Sequence, residues 1–108
     1  MRRLLMPPAQ HAHPSATEQF DLDRAWQLDS RVSVRPESFG ALLYHFGTRR
    51  LSFVKSHALL AVLRSLADHP TGRAACVAAG VAEGELPAYE RALATLAASA
   101  MIRERDEQ

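Results

Sequence analysis

The fold is decided by residues 40–54, which read Gly40-Ala41-Leu42-Leu43-Tyr44-His45-Phe46-Gly47-Thr48-Arg49-Arg50-Leu51-Ser52-Phe53-Val54. Two apolar runs flank the central Gly47-Thr48 pair, a pattern typical of a β-hairpin. A two-residue loop would pair Tyr44 with Leu51, whereas a four-residue loop would pair Tyr44 with Phe53. The two registers differ by two residues, so both predict one shared face, which we expect to be buried. That face comprises Leu42, Tyr44, Phe46, Leu51 and Phe53.

The segment before the hairpin predicts one more strand. Val32 and Val34 alternate with polar residues, and the pattern ends at Pro36, so a short first strand is expected there. It would complete a three-stranded antiparallel sheet with the hairpin. Further upstream, Phe20 and Trp26 are expected to dock on the body of the domain, with Trp26 as a core residue.

Three helices are predicted after the sheet. Ser56 can cap the first helix, whose leucines follow helical spacing. The second is expected over residues 73–79 and is ended by Gly80. The third has Pro87 in its first turn, and residues 101–103 form a short exit segment. The fold class predicted is therefore α+β and winged-helix-like, with a three-stranded antiparallel sheet followed by three helices.

A chain of 108 residues holds one domain. Residues 1–19 are rich in proline and lack apolar periodicity, which predicts a flexible tail, and residues 20–108 form the predicted domain. No apolar run approaches the roughly 20 residues that a membrane helix needs, so no membrane association is expected. The single cysteine, Cys76, excludes an internal disulfide and fits a cytoplasmic location.

No catalytic constellation is found. The sequence contains no nucleophile–base–acid set, no glycine-rich phosphate loop and no metal-ligand spacing. We therefore predict that the chain is not an enzyme and has no catalytic residue, metal site or cofactor. His45 and His57 are expected at the surface or at helix caps.

Charge is unevenly distributed along the chain. Residues 31–64 contain six basic residues and one acidic residue, whereas residues 65–108 contain four basic and seven acidic residues. An anionic partner for the basic segment is one interpretation, and an ordinary solvated surface is the other. A winged-helix DNA-binding regulator is the alternative function. The third helix is acidic to neutral, however, which does not suit a recognition helix, so no nucleic-acid partner is expected.

The third strand, residues 50–54, is expected at the open edge of the sheet. Such an edge can capture an extended peptide, or its flanking cations can simply block aggregation, and the residues alone leave both interpretations open. It could also pair two copies into a homodimer. The pair nearest the turn is expected to be hydrogen-bonded, so that Arg50, Ser52 and Val54 aim their N–H groups outward.

The hairpin sequence also carries a family resemblance. Pro36-Glu37 with residues 40–53, followed by Leu86-Pro87-Ala88-Tyr89 and by residues 91–96, resembles the mycofactocin biosynthesis chaperones over about residues 20–102. More widely, the pattern is similar to the PqqD-like peptide recognition elements. One departure is Ala100, because the wider group often has glycine before its closing apolar pair.

The resemblance implies a domain that binds the precursor of a ribosomally made, modified peptide. In that family the precursor is rich in Glu, ends in Val-Tyr, and is modified by a radical S-adenosylmethionine enzyme that the chaperone contacts. The iron–sulfur cluster and S-adenosylmethionine belong to that enzyme. The wider group binds its peptide as a strand added to the third strand, in the groove beside the third helix. For Leu93 and Leu96, a core position is the default expectation and the groove wall is the alternative. The expected peptide-binding residues are Arg49, Arg50, Leu51, Ser52, Phe53, Val54, Lys55, Tyr89, Ala92, Leu93 and Leu96.

Overall fold

The structure is a computed structural model that describes residues 20–105. The predicted tail, residues 1–19, and the last three residues lie outside the described part of the chain. The strands are β1 (Trp26–Leu28), β2 (Val32–Glu37), β3 (Gly40–His45), β4 (Leu51–Val54) and β5 (Ile102–Glu104). The helices are α1 (His57–Ser65), α2 (Gly72–Ala78) and α3 (Leu86–Ala98), with 3₁₀ turns at Leu66–Asp68 and Glu83–Glu85. The predicted α+β fold, a three-stranded antiparallel sheet followed by three helices, is confirmed.

The main sheet has the strand order β2-β3-β4. Tyr44 pairs with Leu51 and Leu42 with Phe53, which is the register predicted for the shorter loop. The turn itself is wider than two residues. The Arg49 N–H donates to the His45 carbonyl at 2.7 Å, and Arg49 has a left-handed φ of 67°.

The first strand of this sheet does not stop at Pro36. β2 continues to Glu37, with Pro36 opposite Ala41. The Phe46 N–H donates to the Arg31 carbonyl at 2.9 Å, so the odd-numbered residues of β2 bond to β3. The nitrogen of Pro36 consequently faces the free edge, where a missing donor breaks no ladder bond.

The buried face of the sheet is the opposite of the one predicted. Ala41 and Leu43 are 0% exposed and Val54 is 1% exposed, whereas Leu51 and Phe53 are each 60% exposed. The expected residues do share a face, but that face points to solvent. Both sides of β3 carry apolar residues, so periodicity groups the side chains without showing which group the helices cover.

A second, two-stranded sheet was missed by the sequence analysis. β1 pairs with β5 in antiparallel register, with Trp26 opposite Glu104 and Leu28 opposite Ile102. Each strand has three residues, too few to show an alternating pattern. Trp26 is a core residue, as predicted: its ring stacks on Phe20 with centroids 4.7 Å apart, and its indole N–H donates to the Asp21 carbonyl at 2.8 Å.

The helices follow the predicted signals at Ser56, Gly80 and Pro87, although α2 lies one residue earlier than the predicted range 73–79 and is capped by Thr71. The Ser56 hydroxyl accepts a hydrogen bond from the Leu59 N–H at 3.0 Å, which caps α1. Beyond α2, Gly80 has a φ of 90°. α3 ends in a similar left-handed turn at Ala100 (φ 66°), closed by the Met101 N–H on the Leu96 carbonyl at 2.9 Å. A glycine would adopt this left-handed conformation without strain. The glycine that the wider group often has at this position therefore fits the turn better than Ala100 does.

No helix within the described residues is long and apolar enough to cross a lipid bilayer.

Candidate functional site

The edge strand β4 presents alternate backbone groups to solvent. The His45 N–H donates to the Arg50 carbonyl at 3.0 Å, so these residues form a hydrogen-bonded pair between β3 and β4. Bonded and non-bonded pairs alternate along an antiparallel ladder. The N–H and C=O groups of Leu51 and Phe53 therefore point to the open edge. Ser52 and Val54 bond inward to β3, and Arg50 does so through its carbonyl, while its N–H donates to the Thr48 hydroxyl at 3.2 Å.

The expected direction of the edge donors is thus wrong. The expectation assumed that the pair of residues nearest the turn is hydrogen-bonded, and in the observed register this pair is Phe46 and Arg49. Instead, the Phe46 N–H donates to Arg31 in the segment that leads into β2, and the Arg49 N–H bonds the carbonyl of His45. Because Phe46 bonds toward β2, the odd-numbered residues of β3 bond to β4. The bonded pair therefore lies one position further from the turn, and every donor in β4 points in the opposite direction to the one expected.

An apolar groove begins next to this edge. It has a volume of about 190 Å³ and lies between the start of α1 and the exposed side of α3. Ser56, two residues after β4, is at one end, and the Tyr89 ring is half-buried against the core. The groove is lined by Ser56, Leu59, Ala88, Tyr89 and Ala92.

Two of the predicted groove residues lie elsewhere. Leu93 is 0% exposed and Leu96 is 5% exposed, so both belong to the core. The structure leaves Tyr89 and Ala92 as the predicted residues on the groove wall. Leu59 was missed because its helical spacing placed it on the core stripe of α1. Only its position at the first turn, next to the cap, hinted at a partly exposed side.

Three cations surround the edge strand. Arg49, Arg50 and Lys55 are all exposed. The salt bridges that arginine side chains make among residues 20–105 join other pairs: Arg24–Glu104, Arg31–Asp29, Arg35–Glu37 and Arg73–Asp23. The cations at the edge are therefore available to an acidic ligand.

The turn next to the edge is held by a buried polar cluster. His45 is 1% exposed, so the expectation of a surface or cap position is wrong for this residue. Its Nδ1 accepts hydrogen bonds from the Gly47 N–H at 2.9 Å and the Thr48 N–H at 3.0 Å. In the neutral ring, the proton is consequently on Nε2, 3.7 Å from the Asp29 carboxylate. His57, by contrast, is exposed, and its Nε2 lies 2.8 Å from the Ser38 carbonyl.

Asp29 anchors this cluster. Its carboxylate is 5% exposed and accepts two hydrogen bonds from the Arg31 guanidinium, both at 3.1 Å. The Arg31 hydrogen bonds hold the pKa of Asp29 at about 2, against the opposing effect of burial. A Cβ atom at Gly47 would lie 2.8 Å from the His45 ring, so this glycine is required where the turn packs on the histidine. The cluster therefore holds the turn that leads into β4, and with it the start of the edge strand.

Metal-ligand chemistry is not assembled in the described part of the chain. No group of three or more His, Cys, Asp or Glu side chains within residues 20–105 is placed to hold a metal ion. Cys76 is buried, and burial raises the pKa of its thiol.

The site combines an open strand edge, an apolar groove and exposed cations. Small α+β domains with this combination form a class that can bind an extended polypeptide. The model of the peptide chaperone MftB family matches residues 25–103, and the chain belongs to this family. Peptide chaperone MftB of Mycobacterium ulcerans is 56% identical over 102 residues, which cover 94% of each chain. The protein of the same name from Mycobacterium tuberculosis is 50% identical and covers 92% of this chain and 91% of its own.

A third relative, from Mycolicibacterium smegmatis, also carries the name peptide chaperone MftB and is 54% identical over 77% of this chain and 81% of its own. No solved structure matches the chain significantly. The predicted family resemblance is confirmed. The family is one of peptide chaperones, a non-catalytic role, so the prediction that the chain is not an enzyme is confirmed as well.

Proposed function

We propose that this peptide chaperone binds the mycofactocin precursor peptide as a strand added to β4 and presents it to a radical S-adenosylmethionine maturase. The observation that carries the proposal is the edge of β4. Leu51 and Phe53 aim their N–H and C=O groups outward there, beside the groove lined by Leu59, Tyr89 and Ala92. Membership of the chaperone family supports the peptide-binding role.

Backbone groups and side chains have different roles in peptide recognition. The backbone hydrogen bonds of Leu51 and Phe53 can hold any extended chain, because they do not depend on the side chains of the peptide. Side chains of an added strand alternate between its two faces, and those on the inner side enter the groove beside Tyr89 and Ala92. That groove is mostly apolar and therefore selects apolar residues at alternate positions of the peptide.

The cations at the edge add attraction over a longer range. Arg49, Arg50 and Lys55 favour an acidic peptide and speed its association more than they tighten the complex. The cofactors of the modification reaction belong to the maturase, so the chaperone contributes only binding and positioning.

A matched pair of variants tests strand addition. Leu51→Pro removes an outward N–H, and Leu51→Ala removes the same side chain but keeps the N–H. Calorimetric titration with an acidic peptide ending in Val-Tyr should show affinity about tenfold weaker for the proline variant than for the alanine variant, since one backbone hydrogen bond contributes roughly 0.5–1.5 kcal/mol and the ring also blocks the edge. Equal affinities in two folded variants would contradict strand addition at β4.

A second experiment separates this function from the DNA-binding alternative. The purified chain should bind the peptide and leave its mass unchanged, alone or with S-adenosylmethionine. Duplex DNA should bind weakly and without sequence preference. A tight, sequence-selective DNA complex would favour a winged-helix regulator, and a change in peptide mass would assign catalysis to this chain.

A further inference from the structure

The solvent-facing side of the main sheet is unusually apolar. We call this surface the outer face; it comprises Phe39, Leu42, Tyr44, Phe46, Leu51 and Phe53. Among the described residues, five large hydrophobic side chains are exposed, and four of them are on this face: Phe39 (44%), Phe46 (64%), Leu51 (60%) and Phe53 (60%). Contiguous exposed apolar surface of this kind marks an interaction site.

The side chains of the outer face form one continuous patch. Phe39 meets Phe53 edge-to-face with ring centroids 6.2 Å apart, and Tyr44 meets Phe46 in the same geometry at 4.9 Å. Cross-strand neighbours connect these two ring pairs, because Leu42 is opposite Phe53 and Tyr44 is opposite Leu51. A shallow depression of about 600 Å³ is lined by Glu37, Phe39, Leu42, Phe53 and Lys55.

A peptide bound at the edge leaves most of this patch uncovered. An added strand lies about 4.8 Å from β4, so its outward side chains reach Leu51 and Phe53 first. Leu42 and Tyr44 are one strand further away on β3, and Phe46 is in the turn. The greater part of the outer face remains free for a second partner.

The charges around the outer face indicate the chemistry of that partner. The strand register places Arg35 opposite Leu42 on this face, and Lys55 lines the depression together with Glu37. Glu37 is paired with Arg35 at 3.0 Å, and Arg49 is exposed in the turn. Two copies meeting through this face would oppose like charges, whereas an apolar surface with an acidic rim is complementary.

We propose that the outer face docks the modifying enzyme, through an apolar patch on the enzyme that is bordered by Asp and Glu side chains. The inference rests on the proposed function for the identity of the enzyme. The outer face adjoins the β4 edge, so an enzyme docked there lies directly beside the bound peptide. Peptide and enzyme then occupy the chaperone together, with the peptide along β4 and the enzyme on the part of the outer face that the peptide leaves free.

The test uses variants outside the edge strand β4. The double variant Phe39→Ser, Phe46→Ser removes two exposed rings at opposite ends of the face. Binding to the purified radical S-adenosylmethionine maturase should weaken about tenfold or more, with affinity for the acidic peptide changed less than about twofold. Val77→Ser is the matched control, because Val77 is 60% exposed on α2, and it should leave both affinities unchanged.

Several results would overturn the inference. Unchanged maturase binding by a folded double variant, or an equal loss in Val77→Ser, removes the outer face as the docking surface. Loss of peptide binding in the double variant assigns the face to the peptide, and a wild-type dimer that the double variant abolishes assigns it to a second copy. A wild-type chain that binds the peptide but not the maturase overturns this inference and leaves strand addition at β4 standing, whereas one that binds the maturase but not the peptide overturns strand addition instead.

Discussion

The two faces of the main sheet are built from neighbouring residues and have opposite surroundings. On the inner face, Leu43 is 0% and Val54 is 1% exposed, whereas on the outer face Leu51 and Phe53 are each 60% exposed. The outer face carries the larger, aromatic side chains. Burying a phenylalanine contributes about 1.5–3 kcal/mol, so leaving several in solvent forgoes stability that folding alone would gain. That arrangement is expected of a surface kept for partners.

The strongest effect should come from the inner face. Leu43→Ala opens a cavity in the centre of β3 and should lower the free energy of unfolding by about 2–5 kcal/mol. Phe53→Ala removes a larger side chain from the outer face and should lower it by less than about 1 kcal/mol. Urea unfolding of the two variants measures both changes. Similar losses of unfolding free energy in the two variants would contradict the difference in burial between the two faces.

The backbone of β4 should show the same contrast. Ser52→Pro removes a donor that faces β3 and leaves a buried carbonyl unpaired, so the free energy of unfolding should fall by about 1–3 kcal/mol. Leu51→Pro removes a donor that faces the free edge and should change stability by less than about 1 kcal/mol. Thermal melts followed by circular dichroism compare them. If Leu51→Pro proves the more damaging of the two, the assignment of edge donors is reversed.

A smaller effect is expected at the polar end of the inner face. Arg31 lowers the pKa of Asp29 from 3.8 to about 2, so the native state binds fewer protons than the unfolded state. The resulting stability is present above about pH 4 and is lost as the pH falls toward 2. Because Arg31 is 61% exposed, solvent screening reduces the contribution to about 1 kcal/mol.

Asp29→Asn should therefore remove part of the acid sensitivity as well as the ion pair. The free energy of unfolding, measured between pH 6 and pH 2.5, should fall less steeply in the variant than in the wild type. Parallel pH profiles would mean that the Asp29 carboxylate does not stabilise the turn in its charged form.

Local signals made much of the fold predictable. The Gly47-Thr48 pair between apolar runs gave the hairpin, Ser56 gave the start of α1, and Gly80 gave the end of α2. Each depends on residues close in sequence. The β1–β5 ribbon joins the beginning and end of the domain, and its three-residue strands leave no periodicity to detect.

The candidate site was only partly predictable for the same reason. The edge position of β4 follows from strand order, but the direction of its donors depends on the Phe46 N–H bonding to Arg31, outside the hairpin. The burial of His45 could not be predicted from the hairpin either, because the histidine ring lies 3.7 Å from the carboxylate of Asp29, which is distant in sequence. The roles of the peptide-binding residues and the domain boundary at residue 20 stay predictions.

We propose that the peptide pairs with the outward backbone groups of β4. Amide hydrogen exchange, followed by NMR with and without a saturating acidic peptide ending in Val-Tyr, tests it directly. The Leu51 and Phe53 amides should exchange quickly in the free chain and become protected in the complex, whereas Ser52, already bonded to β3, should be protected in both. Fast exchange at Leu51 and Phe53 in the saturated complex would contradict strand addition at this edge.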